Sequence, residues 1–257
     1  MTYFCPAVMD EVRNGDHLLW VSNRMSGDRS VLNYPEVMIT DARNVLYIQW
    51  NLENTAKILA QRFPDSLIVV VKPREMLLNK LSVYSNFVDF DETGIPTLFT
   101  NKEALTHLMK LYTNARKIYF SQHFINGKTI AIVGFSKGCV PLNQIMFEMA
   151  TTELLPETVA FVSKITSVYW LDAGHRGKRD TWITNEFVLQ KIAATKIQLF
   201  VHVSPHQVKN PKRPWIAKEE EEFVKKLKSL NANLKETKHH FDEPCSLDNH
   251  FLILTEF

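Results

Sequence analysis

The 257-residue chain has little of several things, and each shortage excludes a class of protein. Cysteine occurs three times, as Cys5, Cys139 and Cys245. An odd number at wide spacing suggests neither a disulfide framework nor a zinc site, so reduced thiols in an intracellular protein are expected. No charge sign dominates, since 30 Lys and Arg stand against 28 Asp and Glu, a formal net charge of +2. Nucleic-acid binding would need basic residues concentrated on one face, and none is visible. No apolar run approaches the roughly 20 residues that span a bilayer, so no transmembrane segment is expected. The first residues, MTYFCPAVMDEVRNGD, have no charged region followed by an apolar one, as a secretory signal would. The early Asp10 and Glu11 also argue against a mitochondrial presequence in the sequence as given, which reads as cytoplasmic if no leader exists. No H-E-x-x-H spacing occurs, and neither a metal nor another cofactor is expected.

Glycine is also scarce, at eight residues, and its placement is therefore informative. Gly134 and Gly138 fall in one short stretch, Gly174 and Gly177 in another, and Gly27 follows a strand-like run. Glycine serves where a chain turns tightly or two chains come close. These three places are where a site is sought.

What the chain does have is an alternation of apolar runs and helical patterns. HLLWVSN (17–23), LIVVV (67–71), KTIAIV (128–133), TSVYWL (166–171) and IQLFVHV (197–203) read as buried strands, and 233–240 as a last one. Residues 51–63 read as a helix, with Leu52, Ala56, Leu59 and Phe63 on one stripe and Pro64 as its stop. Further helices are expected over 102–117, 138–149, 185–195 and 215–230. Strands alternating with helices predict an α/β fold: a mostly parallel sheet with helices on both faces, in one domain over 1–257. Residues 73–100 show no clear period yet are rich in aromatic and aliphatic residues. They read either as a lid or pocket wall or as a short helix sealing the core.

The stretch TIAIVGFSKGCVPLNQIMFEM (129–149) places Ser136 between Gly134 and Gly138, where strand becomes helix. G-x-S-x-G in that context is the nucleophile elbow of α/β-hydrolases. The turn is sharp enough to strain the serine, and its hydroxyl projects at a helix N-terminus, where developing negative charge is favoured. A serine hydroxyl needs a base, and the base needs a carboxylate to orient it. On this fold the chain order is serine, acid, histidine, and Ser136, Asp172 and His250 have that order. Asp172 directly follows the 166–171 strand, while SPHQVKNP after the next strand offers no carboxylate. Asp248 is a weaker acid candidate. His250 lies in DEPCSLDNHF, read as a polar loop after the last strand, with His175 as its rival. The oxyanion hole needs two N–H donors. Lys137, after the nucleophile, should give one, and Met25 or Ser26 in RMSGD the other. Arg24, Arg29 and Lys137 round one mouth would favour an anionic substrate.

The segments WNLENTAKILAQRFPDS, GFSKGCVPLNQIMFE, YWLDAGH, HVSPHQVKNPKRPWIAKE and DNHF occur in an order that resembles the family of the human chromosome 2 open reading frame 69 protein. The resemblance runs from about Gly27 to the C-terminus. It implies an α/β-hydrolase-like fold, a link to mitochondria, and Ser136, Asp172 and His250 as the candidate triad. It implies no particular substrate.

Two functions remain in view. One is a serine hydrolase acting on an ester, thioester or related acyl bond of a small molecule. The other is a non-catalytic α/β-hydrolase-like protein that binds a small molecule or a protein partner, with 84–99 and HQVKNPKRPW as candidate surfaces.

Overall fold

A computed structural model describes residues 17–21, 45–64, 66–77, 81–119 and 129–257. In chain order its elements are β1 (His17–Val21), a 3-10 turn (Val45–Trp50), α1 (Leu52–Arg62), β2 (Leu67–Val71), β3 (Glu75–Leu77), β4 (Leu81–Val83), β5 (Asp89–Phe90), β6 (Pro96–Thr97) and α2 (Ala104–Tyr119). β7 (Ile130–Phe135) follows, then a 3-10 turn (Ser136–Gly138), α3 (Cys139–Thr151), α4 (Pro156–Val162), β8 (Ile165–Leu171), α5 (Glu186–Ala193) and β9 (Gln198–Val203). The chain closes with α6 (Pro205–Val208), α7 (Pro214–Ser229), β10 (Leu234–Lys238) and α8 (Leu247–Glu256).

Six strands form one sheet in the order β10-β9-β8-β7-β1-β2, and every neighbouring pair is parallel. The strand order reverses between β1 and β7, which makes that boundary the switch point where ligands of such sheets bind, outside the carboxyl ends of the strands. Parallel strands buried on both faces should be apolar throughout, and side-chain alternation sorts them here. Val69, Val71, Ile130, Ile132, Val168, Trp170, Leu199, Val201 and Val203 face the larger core, under α2, α3, α5 and α7. Val70, Val133, Phe135 and Leu171 face the smaller one, under α1 and α8. The α/β class with helices on both faces is thus the fold observed.

Local chemistry explains the helix ends. Asn51 caps α1 by accepting from Asn54 N–H, Asn185 caps α5 at Val188 N–H, and Ser246 caps α8 at Asn249 N–H. The stripe Ile216, Phe223 and Leu227 of α7 is fully buried, and Lys226–Glu222 pairs on its other side at 2.8 Å.

Two differences from the sequence reading bear on the site. Residues 75–97 hold two small antiparallel hairpins, β3–β4 and β5–β6, and not a sealing helix. Tyr84, Phe87 and Val88 from this segment, and Leu98 just after it, lie in the larger core, while the β5–β6 turn reaches over Lys137 at the end of β7. The loop that was to hold His250 ends sooner than expected, and His250 stands inside α8. Ser246 is the reason: its hydroxyl starts a helix that LDNHFLILTE continues with an apolar face.

Candidate active site

Ser136 ends the run of β7 with φ at +53°, a left-handed conformation that a non-glycine residue adopts only under strain. The chain then turns through Ser136–Gly138 into α3. Gly134 makes this turn feasible, because a Cβ there would lie 2.9 Å from Leu142 Cδ2 and 3.1 Å from Cys139 Cα. Ser136 thus stands at a tight strand-to-helix turn with a left-handed backbone. Ser136 is fully buried, and its Oγ has no hydrogen-bond partner among the described residues.

Asp172 follows β8 and also has a left-handed backbone, with φ at +47°. Its backbone N–H donates to His202 O at 2.7 Å, which ties it to β9. One carboxylate oxygen accepts Ser204 N–H at 2.7 Å; the other accepts the Ser204 hydroxyl at 2.6 Å and meets His250 Nδ1 at 2.5 Å. A carboxylate accepts only, so Nδ1 carries the shared proton and Nε2 is left as the basic nitrogen. All three side chains are buried. The His250 ring stacks on Phe135, the residue before Ser136, with centroids 4.5 Å apart. The structure thus joins Asp172 to His250 and sets that pair beside the elbow.

The rivals fall elsewhere. His175 is buried, and its Nδ1 accepts Gly177 N–H at 3.0 Å, not a proton shared with Asp172. Burial pushes its pKa down to about 4, so the ring is neutral. The nearby Asp180 carbonyl favours the charged form without making a bond of good geometry. Asp248 is exposed and makes no hydrogen bond to a histidine among the described residues; burial and the nearby Asp248 carboxylate raise the pKa of Tyr47.

Lys137, expected to give the first oxyanion donor, is the middle residue of the Ser136–Gly138 turn. Met25 and Ser26, expected to give the second, lie outside the described residues, as do Arg24 and Arg29. The Lys137 side chain does not line an open, solvated mouth. It is only 2 % exposed, donates from Nζ to Gly94 O at 2.9 Å, and lies 5.0 Å from the Phe90 ring centre. The β5–β6 turn covers it, and burial lowers its pKa to about 8, helped by Arg176.

Sequence reading missed the turn after β9. There it found no carboxylate, and it passed over the Ser204 that holds one. His206, in the same turn, packs on His250 with ring centres 4.8 Å apart. Burial drives its pKa down to about 2, with His250 and Arg213 adding to the effect, so a neutral ring flanks the proposed base. Its signal in the sequence was H-V-S-P-H, a four-residue spacing that His202 begins. The two rings are bonded apart, however: His202 Nδ1 meets His239 Nε2 at 2.9 Å, on the side of β9 away from Val201 and Val203. Cys139 is buried against Leu171 O with its thiol pKa pushed well up, so it is inert.

Comparison with known proteins now adds identity. A family model described as C2orf69 matches residues 25–123 and 115–233. Among curated proteins, the mitochondrial protein C2orf69 homolog of Danio rerio is 36% identical over 221 residues, 81% of this chain and 65% of that protein. The chain thus spans about two thirds of that relative's length. The mitochondrial protein C2orf69 of Homo sapiens is 34% identical over 272 residues, 87% of this chain and 71% of that one. Among solved structures, an uncharacterized protein from Bacillus cereus superposes with a TM-score of 0.52 at 13% identity, over 96% of this chain and 59% of its own, a likeness of fold alone. The relatives are mitochondrial proteins by name, and no helix among the described residues is long and apolar enough to cross a membrane. With these matches along most of its length, the chain belongs to the C2orf69 family.

Proposed function

We propose that the protein is a serine hydrolase acting on an ester, thioester or related acyl bond of a small molecule. The observation that carries this reading is the 2.5 Å contact of His250 Nδ1 with an Asp172 carboxylate that Ser204 holds twice, set beside a serine at φ +53°. In the reaction, Ser136 Oγ attacks the acyl carbon while His250 Nε2 takes the hydroxyl proton. Asp172 stabilises the imidazolium, and Lys137 N–H donates to the oxyanion. The tetrahedral intermediate collapses, the acyl–heteroatom bond breaks, and the leaving group departs with the proton from Nε2. Water then enters by the same route, gives a proton to His250, and releases the acid and free Ser136.

The test is labelling with a fluorophosphonate probe, wild type beside Ser136→Ala and His250→Ala. Rapid labelling of wild type that is absent from both folded variants is expected. Equal labelling of wild type and Ser136→Ala, or none in folded wild type, overturns the proposal.

A second reading is favoured by one observation, the complete burial of Ser136. Under it the chain is a binding or scaffold protein that keeps the elbow as architecture. Absence of labelling together with binding of a protein partner would support it.

A further inference from the structure

The histidine proposed as base is tied at one ring atom only. His250 meets Asp172 through Nδ1, and Nε2 has to stay free to take a proton. A bond at one atom does not fix the tilt of an imidazole, yet a general base must be held within hydrogen-bond reach of the proton it removes. Packing has to supply the rest. Phe135 stacks on the ring with centres 4.5 Å apart and planes 27° from parallel. His206, from the turn after β9, packs on it at 4.8 Å and 34°.

His206 is itself anchored. Its Nε2 lies 3.4 Å from Arg213 Nη2, and the same Nη2 donates to the His206 carbonyl at 3.2 Å. A guanidinium only donates, so Nε2 accepts and the ring proton sits on Nδ1. The one lone pair of the neutral ring is thus taken, and His206 is not a second base. A protonated His206 would turn an N–H on the guanidinium, so the arrangement also keeps this ring uncharged beside a base that must become an imidazolium. Arg213 has a firm seat of its own. It is 9 % exposed and caps the start of α7, where its carbonyl accepts Ile216 N–H at 3.1 Å. That helix packs on the larger core through Phe223, Val224 and Leu227.

Resting on the serine hydrolase reading, we infer that His206, anchored by Arg213, is a positioning residue for the base His250. It sets the tilt at which Nδ1 meets Asp172 while Nε2 remains available to the Ser136 proton. A chain of contacts therefore runs from the start of α7 through Arg213 and His206 to His250 on α8.

The experiment follows hydrolysis of p-nitrophenyl butyrate by wild type, His206→Ala, His206→Phe and Arg213→Met, each checked for folding by thermal denaturation. His206→Ala should lower kcat by roughly 10- to 100-fold, the cost of a misplaced catalytic group, with KM little changed. His206→Phe keeps a ring against His250 and should recover most of the loss. Arg213→Met leaves the ring in place without its anchor and should fall between the two. Equal kcat in wild type and folded His206→Ala, or a loss that His206→Phe does not recover, overturns the inference and leaves the serine hydrolase reading intact. Should His206→Ala not fold, Arg213→Met decides: a lower kcat at unchanged KM supports the inference, and an unchanged kcat overturns it. If fluorophosphonate labelling shows no active serine, the readout passes to the low-field proton NMR signal of His250 Nδ1, assigned by its absence from His250→Ala. The signal should be present in wild type and His206→Phe and broadened away in His206→Ala. Its absence from wild type, or its persistence unchanged in His206→Ala, overturns the inference.

Discussion

Ser204 grips Asp172 through both its backbone N–H, at 2.7 Å, and its hydroxyl, at 2.6 Å. The carboxylate that meets His250 is thereby fixed from β9, the strand beside the one that carries it.

Ser204→Ala removes the hydroxyl and leaves the N–H. A hydrogen bond to a charged group contributes roughly 1.5–3 kcal/mol, so a stability loss of that order is expected by urea denaturation. Labelling by a fluorophosphonate should slow in the same variant, because the carboxylate has lost one of its two tethers. Asp172→Asn should act more strongly, by roughly 10⁴-fold in turnover, since the histidine then adopts the wrong tautomer. Full reactivity in Asp172→Asn would contradict the role given to that residue.

Lys137 predicts a specific dependence on alkaline pH. Its pKa is about 8 when folded and near 10.5 when exposed, so the unfolded chain binds the extra proton between those values. Stability conferred at this site must therefore rise with pH from about 8 to 10.5. Wild type should gain on Lys137→Met by about 3 kcal/mol across that window. Parallel stability curves for the two proteins would show that the ammonium is not buried in solution.

The neutral histidines predict the acid side. His175, at about 4, and His202, at about 3, lie below the ordinary value of 6.5 because burial disfavours the imidazolium. The unfolded chain then holds more protons below about pH 6.5, and stability falls as pH drops. His202→Phe should flatten this loss between pH 6 and 4, measured by thermal unfolding. An unchanged slope would mean that His202 is solvated.

Glu148 anchors the covering segment from α3. Its carboxylate accepts Lys102 N–H at 3.2 Å, Leu105 N–H at 2.9 Å and Gln144 Nε2 at 2.9 Å, which caps the start of α2. Glu148→Ala leaves three donors without their acceptor and should cost about 2–4 kcal/mol. Faster amide exchange at Leu105 should accompany it, and unchanged exchange would place the anchor elsewhere.

Much of this was legible in the sequence because regular elements write their periods into it. LIVVV became β2 residue for residue, and the glycine pair around Ser136 marked a turn that the strained serine now explains. Asp172 stood out from its position at a strand end, and the structure pairs it with His250. His250 was found for a partly wrong reason, because Ser246 starts α8 where a loop was expected. The hairpins of 75–97 were hidden because strands of two or three residues show no period. The contacts of Ser204 and His206 were hidden for a different reason. They depend on β8 and β9 lying side by side, a long-range fact that no local pattern states.

The helix that begins just past Ser136 carries a clamp. Gln144 and Glu148, one turn apart on α3, hold the chain at Phe99, Thr100, Lys102 and Leu105. Phe99 itself has φ at +65°. Upstream of that fixed point, the β5–β6 hairpin is joined to Lys137 by the Nζ bond to Gly94 O and to Lys102 by an ion pair with Asp89. Through that bond, the residue next to Ser136 in the chain is tied to the same segment that α3 clamps at Phe99.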